Sequence, residues 1–160
     1  MDSRVTQLEH VFYELNMLRY TFDKLILVEQ TVAANAPQSI QAGLVYALIE
    51  TFSIHARNLD EFFQGSRRAD TLKAKTFADG KYKPLPRDKE RKDLIAKINK
   101  QIAHLTEQRT SVAAEKIGPA DRARLHSILI AEADNFTRHL LPKLRLDWEY
   151  VPTEPPLRVN

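Results

Sequence analysis

Polar and ionisable side chains interrupt the apolar faces of three helices that the sequence predicts. At 100° per residue, His55 falls at the centre of the apolar face of the second helix, with Asn58 at its edge. Arg109 shares the apolar stripe of the third helix, and Glu132 shares that of the fourth. Because an unpaired buried charge is costly, we expect Arg109 and Glu132 to form an ion pair near His55 or Asn58. Such a cluster either fixes the register of the helices or marks a functional pocket.

Two histidines and two arginines have the chemistry that metal-free RNA cleavage requires. That reaction needs a general base near the 2′-hydroxyl group and a cation beside the phosphate. His55 or His104 would be the base, and Arg57 or Arg109 would be the cation. His55, Arg57 and His104 are therefore the candidate catalytic residues. The simpler interpretation of Arg57 is an ion pair with Glu61, four residues further along the helix.

Composition and the absence of motifs exclude several other chemistries. The sequence contains no cysteine, which excludes disulfides, thiolate metal sites and a cysteine nucleophile. It contains four glycines and no glycine-rich phosphate-binding motif of the GxGxxG or GxxxxGK kind. His104 and Glu107 lie three residues apart, but two ligands on an exposed helix face do not make a metal centre. We therefore predict neither a metal nor a cofactor.

Four amphipathic helices are expected to position these residues. A chain of 160 residues and 18.4 kDa suits one domain with one core. Apolar side chains recur at helical spacing over residues 4–33, 37–64, 88–115 and 119–141. We predict an all-α protein with a four-helix bundle over residues 1–142. One long basic crossover loop, residues 66–88, would join the second and third helices, and residues 143–160 would form an extended tail packed on the bundle.

The crossover concentrates positive charge. It contains seven basic and three acidic side chains, whereas the net charge of the whole chain is +3. A loop this long within a compact domain usually carries a function. Basic side chains attract the phosphate backbone of nucleic acids, which makes RNA a possible partner. The candidates for nucleic-acid contact are Arg67, Arg68, Lys73, Lys75, Lys81 and Lys83.

Two helical segments and part of the crossover resemble known proteins. Residues 54–63 read IHARNLDEFF, and residues 98–109 read INKQIAHLTEQR. Together with residues 70–77 of the crossover, they resemble a group of uncharacterised bacterial helical proteins. That resemblance covers roughly residues 45–110 and implies a helical fold without implying an activity.

A more distant resemblance is to HEPN domains. Arg57 and Asn58 resemble the first half of the HEPN active-site motif. The histidine that completes the motif would fall at positions 62–64, which are Phe62, Phe63 and Gln64. This resemblance implies a helical bundle that dimerises and that, in many members of the family, cleaves RNA without a metal.

These features favour an interaction protein over an enzyme. The second helix is apolar on several sides, as is typical of a helix buried between others, and the tail around Trp148 is also apolar. We predict a non-catalytic helical-bundle interaction or scaffold protein of bacterial origin, which forms a homodimer or binds another protein. The alternatives are a HEPN-like RNA-binding protein or metal-independent RNase of a defence or toxin system, and a bundle with a small-molecule pocket. With neither a signal-peptide pattern nor an apolar span of about 20 residues, we expect a cytoplasmic protein with no membrane contact.

Overall fold

Apolar side chains at heptad spacing organise the longest helix of the protein. The computed structural model describes residues 3–31, 38–66, 70–102 and 116–149. Helix α1 spans Ser3–Thr31. Its apolar side chains recur every seven residues in two rows, which we call the apolar seam, and these side chains are buried along most of the helix. The buried seam residues are Leu8, Val11, Leu15, Leu18 and Leu25. Burial of this stripe explains why the segment is helical, because each large apolar side chain removed from water contributes about 1.5–3 kcal/mol.

The described residues are all-α, as predicted. Four further helices follow α1, and they are α2 (Gln38–Gln64), α3 (Lys89–Ile102), α4 (Pro119–Arg138) and α5 (Pro142–Glu149). One 3-10 turn, Ala74–Thr76, interrupts the crossover, and the described part of the chain contains no strand. Helix α2 packs on α1, α3 and α4, while α4 also packs on α1 and α3, which is the arrangement of a four-helix bundle. Residues 103–115, the predicted end of the third helix, lie outside the described residues.

Helix α2 is central over only half of its length. Its second half buries Phe52, Ala56, Leu59 and Phe63 at 0–2% exposure. Gly65 ends the helix with φ at 82°, in the left-handed region that glycine adopts without strain. In contrast, residues 42–47 are exposed except for half-buried Val45. The many apolar residues of α2 therefore lie in two different environments. Those in its second half are in the core, and those near its start are on an exposed part of the helix.

The predicted extended tail is wrong for residues 143–149, which belong to helix α5 (Pro142–Glu149). Helix α4 ends at Arg138, and Pro142 begins α5 instead of stopping α4. Proline suits the first turn of a helix because its missing N–H group would have no helical partner there. Leu144 is buried at 1% exposure, and α5 packs on α1. Burial of Leu144 therefore outweighs the alternation of apolar and polar residues in this segment, a pattern typical of extended chain. Residues 150–160 lie outside the described residues.

The crossover pairs with the junction between α4 and α5. The backbone N–H of Asp79 donates to the carbonyl of His139 at 2.8 Å, and the N–H of Leu141 donates to the carbonyl of Phe77 at 3.0 Å. These two bonds form an isolated antiparallel bridge between Ala78 and Leu140. Two segments that are some sixty residues apart in the sequence thus lie side by side.

Candidate functional site

His55 and Asn58 share one carboxylate, that of Glu14 on α1. His55 Nδ1 lies 2.7 Å from Glu14 Oε2, and Asn58 Nδ2 donates to the same oxygen at 3.2 Å. His55 is 8% exposed, and the ring of Tyr13 packs edge-on against it with the centroids 5.8 Å apart. Sequence reasoning missed Glu14, although it lies three residues after Val11 and therefore beside the apolar seam of α1. The two predicted residues are thus brought together, by a partner from another helix.

This arrangement orients the imidazole ring. An ionised carboxylate accepts hydrogen bonds but cannot donate them, so the proton in the 2.7 Å contact belongs to His55 Nδ1. In the neutral ring, Nε2 is then the basic nitrogen, as it is in histidines that act as general bases. The pair of Glu14 and His55 can therefore hold a proton acceptor in one tautomer.

Arg57 forms an ion pair, without a hydrogen bond from its Nε atom, with a different carboxylate. Its Nε atom lies 3.8 Å from Glu61 on the same helix, and both side chains are about 40% exposed. This is the pairing that the simpler interpretation of Arg57 predicted. Two residues apart on an α-helix, His55 and Arg57 point in directions about 200° apart. The structure therefore does not bring these two candidates to one carboxylate, and His104 lies outside the described residues.

A cleft of about 230 Å³ opens beside the Glu14 cluster. Glu14, Asn58 and Glu61 line it on one side, and Thr71 and Leu72 of the crossover line it on the other. The cleft is too small to enclose a drug-sized molecule, since such pockets are typically about 300–1,000 Å³. No group of three or more acidic or histidine side chains able to hold a metal occurs among the described residues.

Glu132 belongs to a second, buried cluster whose centre is Arg91. Arg91 Nη1 donates to Glu132 Oε2 at 2.9 Å, and Arg91 Nε donates to Asp60 Oδ1 at 2.7 Å. All three side chains are at most 1% exposed. Arg87 adds a second ion pair to Asp60 at 2.8 Å. The two guanidinium groups thus balance the two buried carboxylates, which makes the burial of these charges tolerable.

The predicted partner of Glu132, Arg109, lies outside the described residues. Within the described residues, the predicted cluster divides in two, because His55 and Asn58 bond to Glu14 while Glu132 bonds to Arg91. A signal for Arg91 exists in the sequence. It lies three residues before Leu94 and seven before Ile98, on the apolar stripe of α3.

The Arg91 cluster also anchors the crossover. Glu132 accepts hydrogen bonds from the Tyr82 hydroxyl at 3.1 Å and from the Leu85 N–H at 3.0 Å. Gln64 donates to the Leu85 carbonyl at 3.1 Å, and Asn135 donates to the Lys83 carbonyl at 3.0 Å. Burial, together with the charge of Glu132, raises the pKa of Tyr82 far above its ordinary value and keeps the hydroxyl protonated as a donor. Side chains from α2 and α4 therefore fix the backbone of residues 82–85.

The predicted nucleic-acid contacts lie on this anchored segment. Lys75, Lys81 and Lys83 are exposed, and Lys73 is half-buried. None of the four forms an ion pair with another residue in the described part of the chain. Arg67 and Arg68 lie outside it.

Large apolar side chains are exposed on α1 and α2. The two helices are antiparallel neighbours, since Glu14 meets Asn58 and the ring of Phe22 meets that of Phe52. This pairing places the last turns of α1 beside the first turns of α2. We call the six exposed large hydrophobic residues described on this helix pair the apolar surface, although Leu44 and Tyr46, two residues apart, lie on different sides of α2; the six are Tyr13, Ile26, Leu27, Leu44, Tyr46 and Ile54.

Comparison with known proteins adds no relative. No family model, curated protein or solved structure matches the chain. The resemblances noted from residues 54–63 and 98–109 therefore stay predictions. None of the described helices combines the length and the hydrophobicity that crossing a membrane would require.

Proposed function

We propose that this chain is a non-catalytic interaction protein that forms a homodimer through its apolar surface. The observation that carries the proposal is the exposure of six large hydrophobic side chains on α1 and α2, from 40% for Ile26 and Ile54 to 56% for Tyr46. Exposed apolar side chains that cluster on a protein surface usually mark a contact with a partner, and here they lie on two neighbouring helices. Burial of these side chains in an interface would stabilise the complex, by about half of the roughly 1.5–3 kcal/mol for a fully exposed side chain, because they are 40–56% exposed.

The start of α2 supports a second copy as the partner. From Gln30 to Ile49 the sequence contains no charged residue, so the start of α2 offers no charge for a partner to complement. Its best match is another apolar helix surface, and a two-fold axis pairs the same surface of two copies. Exposed Ala42, Gly43 and Ala47 interrupt Leu44 and Tyr46 with small residues. Small residues leave gaps into which the large side chains of a facing helix can pack.

The test is the mass of the protein in solution. We expect light scattering to give twice 18.4 kDa for the unchanged chain and 18.4 kDa for the double variant Leu44→Glu, Tyr46→Glu. The matched control is Ala96→Glu, Ala131→Glu, which adds two glutamates at exposed positions of α3 and α4 and is expected to stay dimeric. A monomeric unchanged chain, or a control that dissociates as readily as the first variant, would overturn the proposal.

A metal-independent RNase of HEPN-like type is the second candidate. The observation that favours it is the 2.7 Å contact between His55 Nδ1 and Glu14, which orients an imidazole as a general base would be oriented. Arg57 would be the cation. The separation of Arg57 from His55 is why this candidate stands second.

Incubation with single-stranded and transfer RNA in the presence of a chelator tests the second candidate. If the chain is an RNase, the unchanged chain cleaves RNA and the variant His55→Ala, Arg57→Ala does not. A Lys92→Ala variant, changed at an exposed site on α3, controls for contaminating nuclease. If all three proteins cleave RNA equally, or if none of them cleaves it, the result counts against catalysis. The bacterial origin and the cytoplasmic location stay predictions from the sequence in either case.

A further inference from the structure

The bridge between Ala78 and Leu140 brings together two basic segments that are far apart in the sequence. The first is the part of the crossover that spans residues 70–86. The second is the end of α4 with the start of α5, residues 134–145. Together they contain seven basic and three acidic side chains. We call this the basic surface.

Six basic side chains of the basic surface are exposed, and half of them were not singled out from the sequence. Lys75, Lys81 and Lys83 come from the crossover, whereas Arg138, Lys143 and Arg145 come from the α4–α5 junction. Arg145 Nη2 donates to the Arg138 carbonyl at 3.1 Å, which keeps these two arginines adjacent. Asn135, one helical turn before Arg138, donates to the Lys83 carbonyl at 3.0 Å. Contacts of the backbone thus hold both segments in one neighbourhood.

The backbone of the basic surface is fixed before any ligand binds. Glu132 holds the Tyr82 hydroxyl and the Leu85 N–H, on either side of Lys83. Asp79 accepts hydrogen bonds from the N–H groups of Lys81 and Tyr82 at 2.9 and 3.1 Å. A fixed backbone lowers the entropy that would be lost on binding, because fewer residues must become ordered.

The composition of the basic surface indicates the class of ligand. Its Phe and Tyr side chains, Phe77, Tyr82 and Phe136, are 0%, 4% and 0% exposed, so they offer no platform on which single-stranded bases could stack. The large hydrophobic side chains that are exposed in the described residues lie on α1 and α2, so the basic surface has none to insert into a lipid headgroup layer. Lysine and arginine without aromatic neighbours suit contacts to phosphates at regular spacing.

We propose that the basic surface binds the phosphate backbone of a nucleic-acid duplex, through Lys75, Lys81, Lys83, Arg138, Lys143 and Arg145. The proposal concerns binding without cleavage and does not depend on the homodimer. RNA and DNA duplexes share the relevant chemistry, and the experiment distinguishes them.

The experiment measures fluorescence anisotropy of labelled duplexes of about 20 base pairs, in RNA and in DNA, over a series of salt concentrations. We expect the logarithm of the affinity to fall linearly with the logarithm of the salt concentration, with a slope of about −0.9 for each phosphate contacted. The triple variant Lys75→Gln, Lys81→Gln, Lys83→Gln is expected to bind at least about tenfold more weakly and to lower the steepness of that slope by two to three units. Arg138→Gln is expected to lower it by about one. The duplex that binds more strongly, RNA or DNA, identifies which of the two nucleic acids is the ligand.

The matched control is Lys92→Gln, Lys100→Gln, Lys116→Gln, which removes three exposed lysines elsewhere and lowers the net charge equally. We expect this control to bind like the unchanged chain, and circular dichroism verifies that all variants are folded. The inference is overturned if the control loses as much affinity as the triple variant. Tighter binding to a single strand or to anionic vesicles than to either duplex would also overturn it. The mass measured in solution is a separate readout, so a dimer that binds no duplex contradicts this inference alone.

Discussion

His126 shows how burial sets the chemistry of a single residue. Its ring stacks on Phe22 with the centroids 4.1 Å apart and the planes at 10°. Its Nε2 atom is buried and has no hydrogen-bond partner among the described residues. Burial lowers the pKa of His126 from its ordinary value of 6.5; the charge of Asp23 opposes this effect, and that of Arg19 adds to it. The folded protein therefore favours the neutral ring.

We predict that His126 makes the protein less stable as the pH falls below about 6.5. The unfolded chain takes up a proton near its ordinary pKa, whereas the folded chain resists protonation until a lower pH. The free energy of unfolding should therefore decrease from about pH 6.5 downwards, by no more than about 1.4 kcal/mol per pH unit for one proton. In His126→Phe, urea unfolding at several pH values should show a shallower decrease.

His10→Gln provides the matched comparison for this pH dependence. His10 is exposed, so removal of its imidazole should leave the pH profile of stability close to that of the unchanged chain. If His126→Phe and the unchanged chain have parallel profiles, then protonation of His126 does not contribute to the loss of stability in acid.

At the scale of elements, the crossover is a fixed part of the structure. Loops usually run over the surface of a protein, but here side chains of α2 and α4 supply hydrogen-bond partners for the crossover. Arg91 of α3 holds Glu132 of α4, and Glu132 in turn holds Tyr82 and Leu85. The buried charges thus connect three helices to one loop. They specify where the loop lies more than they add stability.

We predict that Arg91→Met destabilises the protein by about 3–5 kcal/mol, because it leaves buried Glu132 without its counter-ion and buried Asp60 with Arg87 as its remaining partner. Urea unfolding measures this loss. Trypsin should also cleave the variant faster after Lys81, since Glu132 then holds the crossover less firmly.

Arg124→Met tests whether burial is the reason. Arg124 donates two hydrogen bonds to Glu90, at 2.8 and 3.0 Å, but both side chains are about half exposed. Exposed ion pairs contribute little to stability, so we expect a much smaller loss than for Arg91→Met. Equal losses of stability in the two variants would mean that burial of the Arg91 cluster is not the reason for the loss.

At the scale of the whole molecule, the apolar surface and the basic surface are built from different elements. The first lies on α1 and α2, and the second lies on the crossover and the α4–α5 junction. A homodimer formed through the apolar surface would therefore carry two basic surfaces. Two linked surfaces raise the avidity for one duplex when the geometry lets both bind.

The dimer prediction belongs to this scale, because association and folding are linked. If two copies bury the apolar surface, the melting temperature should rise with protein concentration. The monomeric variant Leu44→Glu, Tyr46→Glu should lose that dependence while its cluster at Arg91 stays intact, since neither substituted residue contacts it.

The sequence by itself determined the helical class, most helix bounds and the core of α1. These follow from local signals, such as the heptad spacing of Leu8 and Leu15, Gly65 at the end of α2 and Pro119 at the start of α4. Local periodicity and local backbone preferences are encoded within one or two helical turns, which is why a single sequence reveals them. The same signals misassigned residues 143–149, where burial of Leu144 outweighed an alternating pattern.

Only the tertiary structure decided which polar groups meet. Asn58, His55 and Glu132 are recognisable in the sequence as polar residues on apolar stripes, but their partners Glu14 and Arg91 lie about forty residues away. Each pairing depends on how one helix is rotated and shifted against another, which the packing of the whole core sets. The basic surface likewise exists only because Ala78 and Leu140 meet. The spacing of residues along the sequence does not specify such a register, because long-range contacts form only when all of the helices pack together.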